Sequence, residues 1–133
     1  MKTCTEPRAR SIAHLSPCAS TLRLETTRWA LAHGQRLDYD ALSVILAAKA
    51  EVPVPVRRWT EDDVWRLWWV DLSGWCAQRR VRTPDGLATT MLTLFRYLDT
   101  AGGFAAGSDT LPELEDAMEC TGALWRDPTA HAG

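Results

Sequence analysis

The sequence predicts an all-α fold: a single small helical bundle of four to five helices behind a loosely ordered N-terminal arm. Three observations carry this. Apolar residues cluster or recur at helical spacing through most of residues 20–124, hydroxyl and carboxyl residues mark helix starts, and strand-like alternation is confined to Val52–Val56. At 133 residues the chain fits one domain, which at this size buries roughly two thirds of its unfolded surface without metal or disulfide staples. A composition of 46% hydrophobic and 24% charged residues is that of a globular protein and excludes wholesale disorder.

Residues 1–19 mix Pro, Ser, Thr and Arg without a period, and are read as the arm. A first helix is expected from Ser20 to His33, stopped by Gly34. A second, starting from Asp38 or Asp40 as N-cap and reaching about Ala50, carries Leu42, Val44, Ile45 and Leu46. It is apolar nearly all round, as a central buried helix is. The prolines of VPVPV make residues 52–56 a stiff connector, and 51–58 a candidate boundary between an N-terminal hairpin and a three-helix unit.

Thr60 followed by Glu61, Asp62 and Asp63 caps a third helix that runs to about Arg80, with Gly74 as a weak point. Thr83-Pro84 is read as the start of a fourth helix, with Thr as N-cap and Pro at the first position. It ends before Gly102-Gly103 and offers Leu87, Met91, Leu94, Phe95 and Leu98 to the core. Thr110-Leu-Pro-Glu113 matches a capping box for a fifth helix reaching about Thr121, closed by Gly122. That helix buries Leu111, Leu114 and Met118 and has an acidic outer face, and 125–133 is a tail.

The net charge of −2 argues against tight sequence-independent nucleic-acid binding, which draws its affinity from neutralised phosphates. The charge is uneven: residues 1–58 carry nine basic and five acidic side chains, residues 99–133 one basic and seven acidic. Such opposed ends can attract each other between molecules. Thirteen arginines against two lysines suggest the codon bias of a GC-rich bacterial genome. The four cysteines form no C-x-x-C pair, and the longest apolar run, Ala41–Ala48, is far short of a membrane span, so a cytoplasmic protein is expected.

Five of the seven tryptophans lie between Trp59 and Cys76. On a wheel of about 100° per residue Val64, Trp65, Trp68, Trp69, Leu72, Trp75 and Cys76 share one arc of about 140°, the width of a core stripe. Trp65, Trp68 and Trp75 are therefore expected to face the core. Trp69 stands at the edge and, with Trp65, can line a groove for a partner helix or a planar ligand. Asp71, just outside the arc, is the third interaction candidate beside Trp65 and Trp69, a carboxylate whose pKa would rise on partial desolvation; the structural alternative is that it accepts an indole N–H or pairs with an arginine such as Arg96. Arg79, Arg80 and Arg82 end the third helix and, beside Thr89, Thr90 and Thr93 on the polar side of the fourth, are candidate phosphate contacts in a helix-turn-helix. The acids Glu61–Asp63 are explained by capping. His14 and Cys18 match no zinc spacing, no metal site is expected, and no glycine loop or nucleophile motif implies a cofactor or catalysis.

Two resemblances bear on these residues. Trp65-x-x-Trp68-Trp69-Val70-Asp71-x-x-x-Trp75-Cys76, with Pro84-x-Gly86-Leu87-Ala88 and Gly107-Ser108-Asp109, resembles short helical Trp-rich proteins of GC-rich bacteria and implies an all-helical unit without a known activity. Arg80–Leu98 resembles one helix of the core-binding domain of tyrosine recombinases. That family's H-x-x-R element is matched only by His33-Gly-Gln-Arg36, in the wrong order, so recombinase activity is not implied. The expectation is a non-enzymatic protein-interaction or assembly module, able to self-associate through the Trp-lined helix. The alternative is a DNA-associated accessory module.

Overall fold

The structure, a computed structural model, describes residues 14–121. Most of the expected arm, the tail 125–133, Cys4 and Gly122 lie outside the described residues. Among the described residues there is no strand, and the helices are α1 (Pro17–Ala32), α2 (Tyr39–Lys49), α3 (61–79), α4 (Leu87–Ala101) and α5 (Leu111–Cys120). α3 is composite: an α segment Glu61–Arg66, a π turn Leu67–Asp71, and a second α segment Leu72–Arg79.

α1 starts before Ser20. Ser16 is its N-cap, accepting a bond from the Ala19 amide, and Pro17 is its first residue. Ala19 is buried, so the region read as the end of the arm belongs to the bundle. At the other end Gly34 takes φ 63° and the Gln35 amide reaches back to the Ala30 carbonyl, which ends the helix as its glycine promised. α2 starts at the Asp38 cap, and every residue from Ala41 to Lys49 is buried. It packs on α1, α3 and α4 and is the axis of the bundle.

The Val-Pro connector is turned rather than extended: the Val54 amide bonds the Val52 carbonyl (2.8 Å) and the Arg58 amide the Pro55 carbonyl (3.0 Å). It delivers Trp59, fully buried, into a core that continues on both sides of 51–58. There the Trp59 indole N–H donates to the Val56 carbonyl and its ring meets Phe95 edge-on at 5.1 Å. The loop before α5 is stapled to this segment by Ala105 N–H to Arg57 O and Asp109 N–H to Trp59 O, both 2.9 Å.

Thr83-Pro84 does not start α4. Residues 80–86 remain a loop, and the N-cap is Gly86 with φ 73° and no side-chain cap. The hydroxyl–proline start expected there occurs instead at Ser16-Pro17. The apolar residues expected of α4 are all buried, but Thr90 and Thr93 are buried too. Their hydroxyls serve the α1–α2 loop: Thr90 Oγ1 accepts the Asp38 amide at 3.0 Å and Thr93 Oγ1 donates to the Arg36 carbonyl at 2.6 Å. α5 begins with the expected capping box and buries Leu114 and Met118. Cys76 is buried, whereas Cys18 and Cys120 are exposed thiols.

Candidate functional site

α3 begins with a reciprocal box in which Thr60 Oγ1 accepts the Asp63 amide and Asp63 Oδ2 the Thr60 amide. It buries Val64 and Leu67, then Leu72, Trp75 and Cys76. A regular helix would set Leu72 about 140° round from Leu67, since five residues turn about 500°. The π turn, closed by the Leu72 amide on the Leu67 carbonyl, spreads one turn over an extra residue and brings both leucines to the core side.

The same turn decides where the tryptophans go. Trp75 is buried and Trp68 is half-buried against the core, as expected. Trp65 is not in the core: it is 47% exposed and stacks obliquely with Trp69, 40% exposed, at 6.2 Å between ring centroids. Val70 beside them is 61% exposed. The wheel failed for Trp65 because Leu67 takes the buried position, and Leu67 is outside the arc that a uniform helix predicts. Trp65, Trp69 and Val70 together form an apolar outer face on α3.

That face has an acidic end. The Glu61 amide donates to Asp109 Oδ2 at 2.8 Å, and the pKa of Glu61 is raised by desolvation and then by the carboxylates of Asp109, Glu113, Asp116 and Asp62. It also has a basic end, where the expected arginines divide. Arg79 lies over the Trp75 ring at 4.4 Å and pairs with Glu51 at 2.8 Å. Arg80 and Arg82 are exposed. Arg80 holds φ 53°, its amide bonds the Ala77 carbonyl, and the Val81 amide reaches the Cys76 carbonyl, an ending usually given to glycine. With residues 80–86 as a loop between α3 and α4, these arginines do not sit on the short turn of a helix-turn-helix.

Asp71 is half-buried, and desolvation raises its pKa against the nearby Arg66. Glu51 and Lys49 are its other charged neighbours, whereas Arg96 pairs with Glu115 at 3.6 Å and is not its partner. A cavity of about 190 Å³ holds His14, Glu51, Trp75 and Arg79 but not Asp71. His33, the other described histidine, stacks on Trp29 at 4.7 Å. No Asp71–histidine pair forms among the described residues. Nor do three His, Cys, Asp or Glu side chains converge there as a metal site would require.

Sequence reasoning passed over Lys49. The residue is 2% exposed, and its ammonium sits 3.4 Å from Asp63 Oδ2 and 4.6 Å from the centroid of Trp59. Burial lowers its pKa, and Asp63 works against that. The signal was available: a helix with no polar face must bury any lysine it contains. Comparison with protein-family models, with curated proteins and with solved structures finds no match to this chain.

Proposed function

We propose that the protein is a non-enzymatic protein-interaction module of the bacterial cytoplasm, and that its binding surface is the outer face of α3. One observation carries this reading: Trp65, Trp69 and Val70 stand exposed side by side, although the helix buries five other apolar side chains. Tryptophan is the side chain most enriched at binding hot spots, and a contiguous apolar patch on a small protein is commonly an interaction site.

The test is site-specific photo-crosslinking in the cells the gene comes from, with p-benzoylphenylalanine at position 69 and, as a control, at the exposed Thr100 on α4. A discrete crosslinked species from position 69 alone, lost when Val70→Asp is added, is the expected result. Equal crosslinking from both positions, or none from position 69, overturns the reading.

A further inference from the structure

We propose that the outer face of α3 is the contact surface between two copies of this chain, paired antiparallel about a two-fold axis beside Trp69 and Val70. This rests on the reading of that face as a protein-binding surface and names its occupant.

Order along the helix carries the inference. The outer face begins with Glu61 and Asp62, continues through Trp65, the exposed Arg66, Trp69 and Val70, then presents the small exposed Ser73 and Ala77, and ends at exposed Arg80. A two-fold axis perpendicular to the helix reverses this order in the second copy, so that the segments beside the axis meet themselves and those away from it meet different ones. The large Trp65 comes over the small Ser73, and Trp69 and Val70 meet their own counterparts. At about 1.5 Å per residue, Asp62 and Ala77 lie about 11–12 Å either side of the axis, with Arg80 just beyond. The acids of one copy thus face the basic end of the other.

Charge selects this orientation. The acidic end is reinforced by Asp109, Glu113 and Asp116, all of which raise the pKa of Glu61. Parallel pairing would set that cluster against itself, and like charges across an interface are strongly disfavoured. Antiparallel pairing sets it against Arg80 and Arg82 and also opposes the two helix dipoles. Two half-exposed indoles and a valine offer roughly 300 Å² of apolar surface per copy, which places the pair among weak, concentration-dependent assemblies.

Sedimentation equilibrium of the full chain over about 10 μM to 1 mM tests this, with circular dichroism confirming that each variant is folded. The expected mass moves from 14.8 kDa toward twice that value as concentration rises. Val70→Asp should weaken the dimer at least tenfold. Asp62→Arg and Arg80→Glu should each weaken it severalfold, and the two together should restore it to within about threefold, because each then meets the other across the axis. A chain that is monomeric throughout overturns the inference, as does a dimer that the paired substitution fails to restore. If the monomeric chain still crosslinks a different protein from position 69, the interaction reading survives and only the second copy is lost.

Discussion

Lys49 and Asp63 make an ion pair whose two halves should respond unequally to substitution. The lysine is buried at the end of an apolar helix, and at 3.4 Å its contact with Asp63 is an ion pair that leaves the ammonium short of a well-formed hydrogen bond. Asp63→Asn keeps an oxygen for the Thr60 amide and removes only the charge. The cost has a ceiling, because an abandoned lysine can give up its proton. Deprotonating an ordinary lysine at pH 7 costs about 4.6 kcal/mol, from about 1.36 kcal/mol per pH unit below a pKa of about 10.4. Breaking a buried pair costs about 3–5 kcal/mol, and partial exposure of Asp63 reduces this, so a loss of about 2–4 kcal/mol is expected. Lys49→Met removes the buried charge, keeps the length and leaves Asp63 its amide, and should change stability by less than about 1 kcal/mol or raise it. Asp63→Asn made in the Lys49→Met protein should then cost less than about 1 kcal/mol.

Urea unfolding followed by circular dichroism measures all four proteins. A loss below about 1 kcal/mol for Asp63→Asn alone, or above about 2 kcal/mol for Lys49→Met, refutes the reasoning. The pH dependence supplies a second check. Since burial lowers the folded pKa of Lys49, the unfolded chain binds more protons between that value and about 10.4. The stability of the wild-type protein relative to Lys49→Met should therefore rise with pH through that window. Tyr97 and Cys76, both raised in pKa, act in the opposite direction but are common to both proteins and cancel.

Three further outcomes follow from other parts of the fold. Arg80→Gly relieves a left-handed backbone at φ 53° and should stabilise the protein by about 1 kcal/mol in urea unfolding, since non-glycine residues there cost roughly 1–2 kcal/mol. Trp59→Phe gives up the indole bond to Val56 and part of a fully buried ring, and should cost about 2–3 kcal/mol in the same assay. The pKa of Glu25 is lowered, first by its bond to Arg57 and then by that from Tyr97, so its contribution is present above the usual carboxylate range and lost as pH falls through the folded value. The stability advantage of the wild-type protein over Glu25→Gln should accordingly shrink on acidification, as chemical unfolding at pH 6 and pH 3 would record.

Much of the fold was legible because its signals are local. Asp38, Thr60 with Asp63, and Thr110 with Glu113 all cap the helices their chemistry implies, and the all-round apolarity of α2 identified the axis of the bundle. Thr83-Pro84 misled because a hydroxyl–proline pair permits a helix start without requiring one. The segment after it turns at Gly86 before Leu87 enters the core. The candidate site was half legible. Trp69 lies at the edge of a regular wheel drawn through α3 and Val70 well outside its apolar arc, but the position of Trp65 depends on a hydrogen bond between residues five apart, which periodicity at a fixed angle cannot represent. The pairing of Arg79 with Glu51 joins residues distant in sequence, which no local pattern displays.

The π turn also makes α3 unusually forgiving of a shortened chain. Losing one residue from a regular helix ordinarily rotates everything beyond it by about 100° and dislodges the core. Here the turn already carries a residue more than regular geometry needs, so deleting Val70 leaves Leu67 and Leu72 four positions apart, still stacked on one face. The shortened protein should fold with a melting temperature within a few degrees of the parent, whereas deleting Leu92 from the regular helix α4, which turns the buried Leu94, Phe95 and Leu98 out of register, should abolish the transition. Residues 67–71 are thus a point at which evolution can edit the outside of this protein while the inside keeps its register.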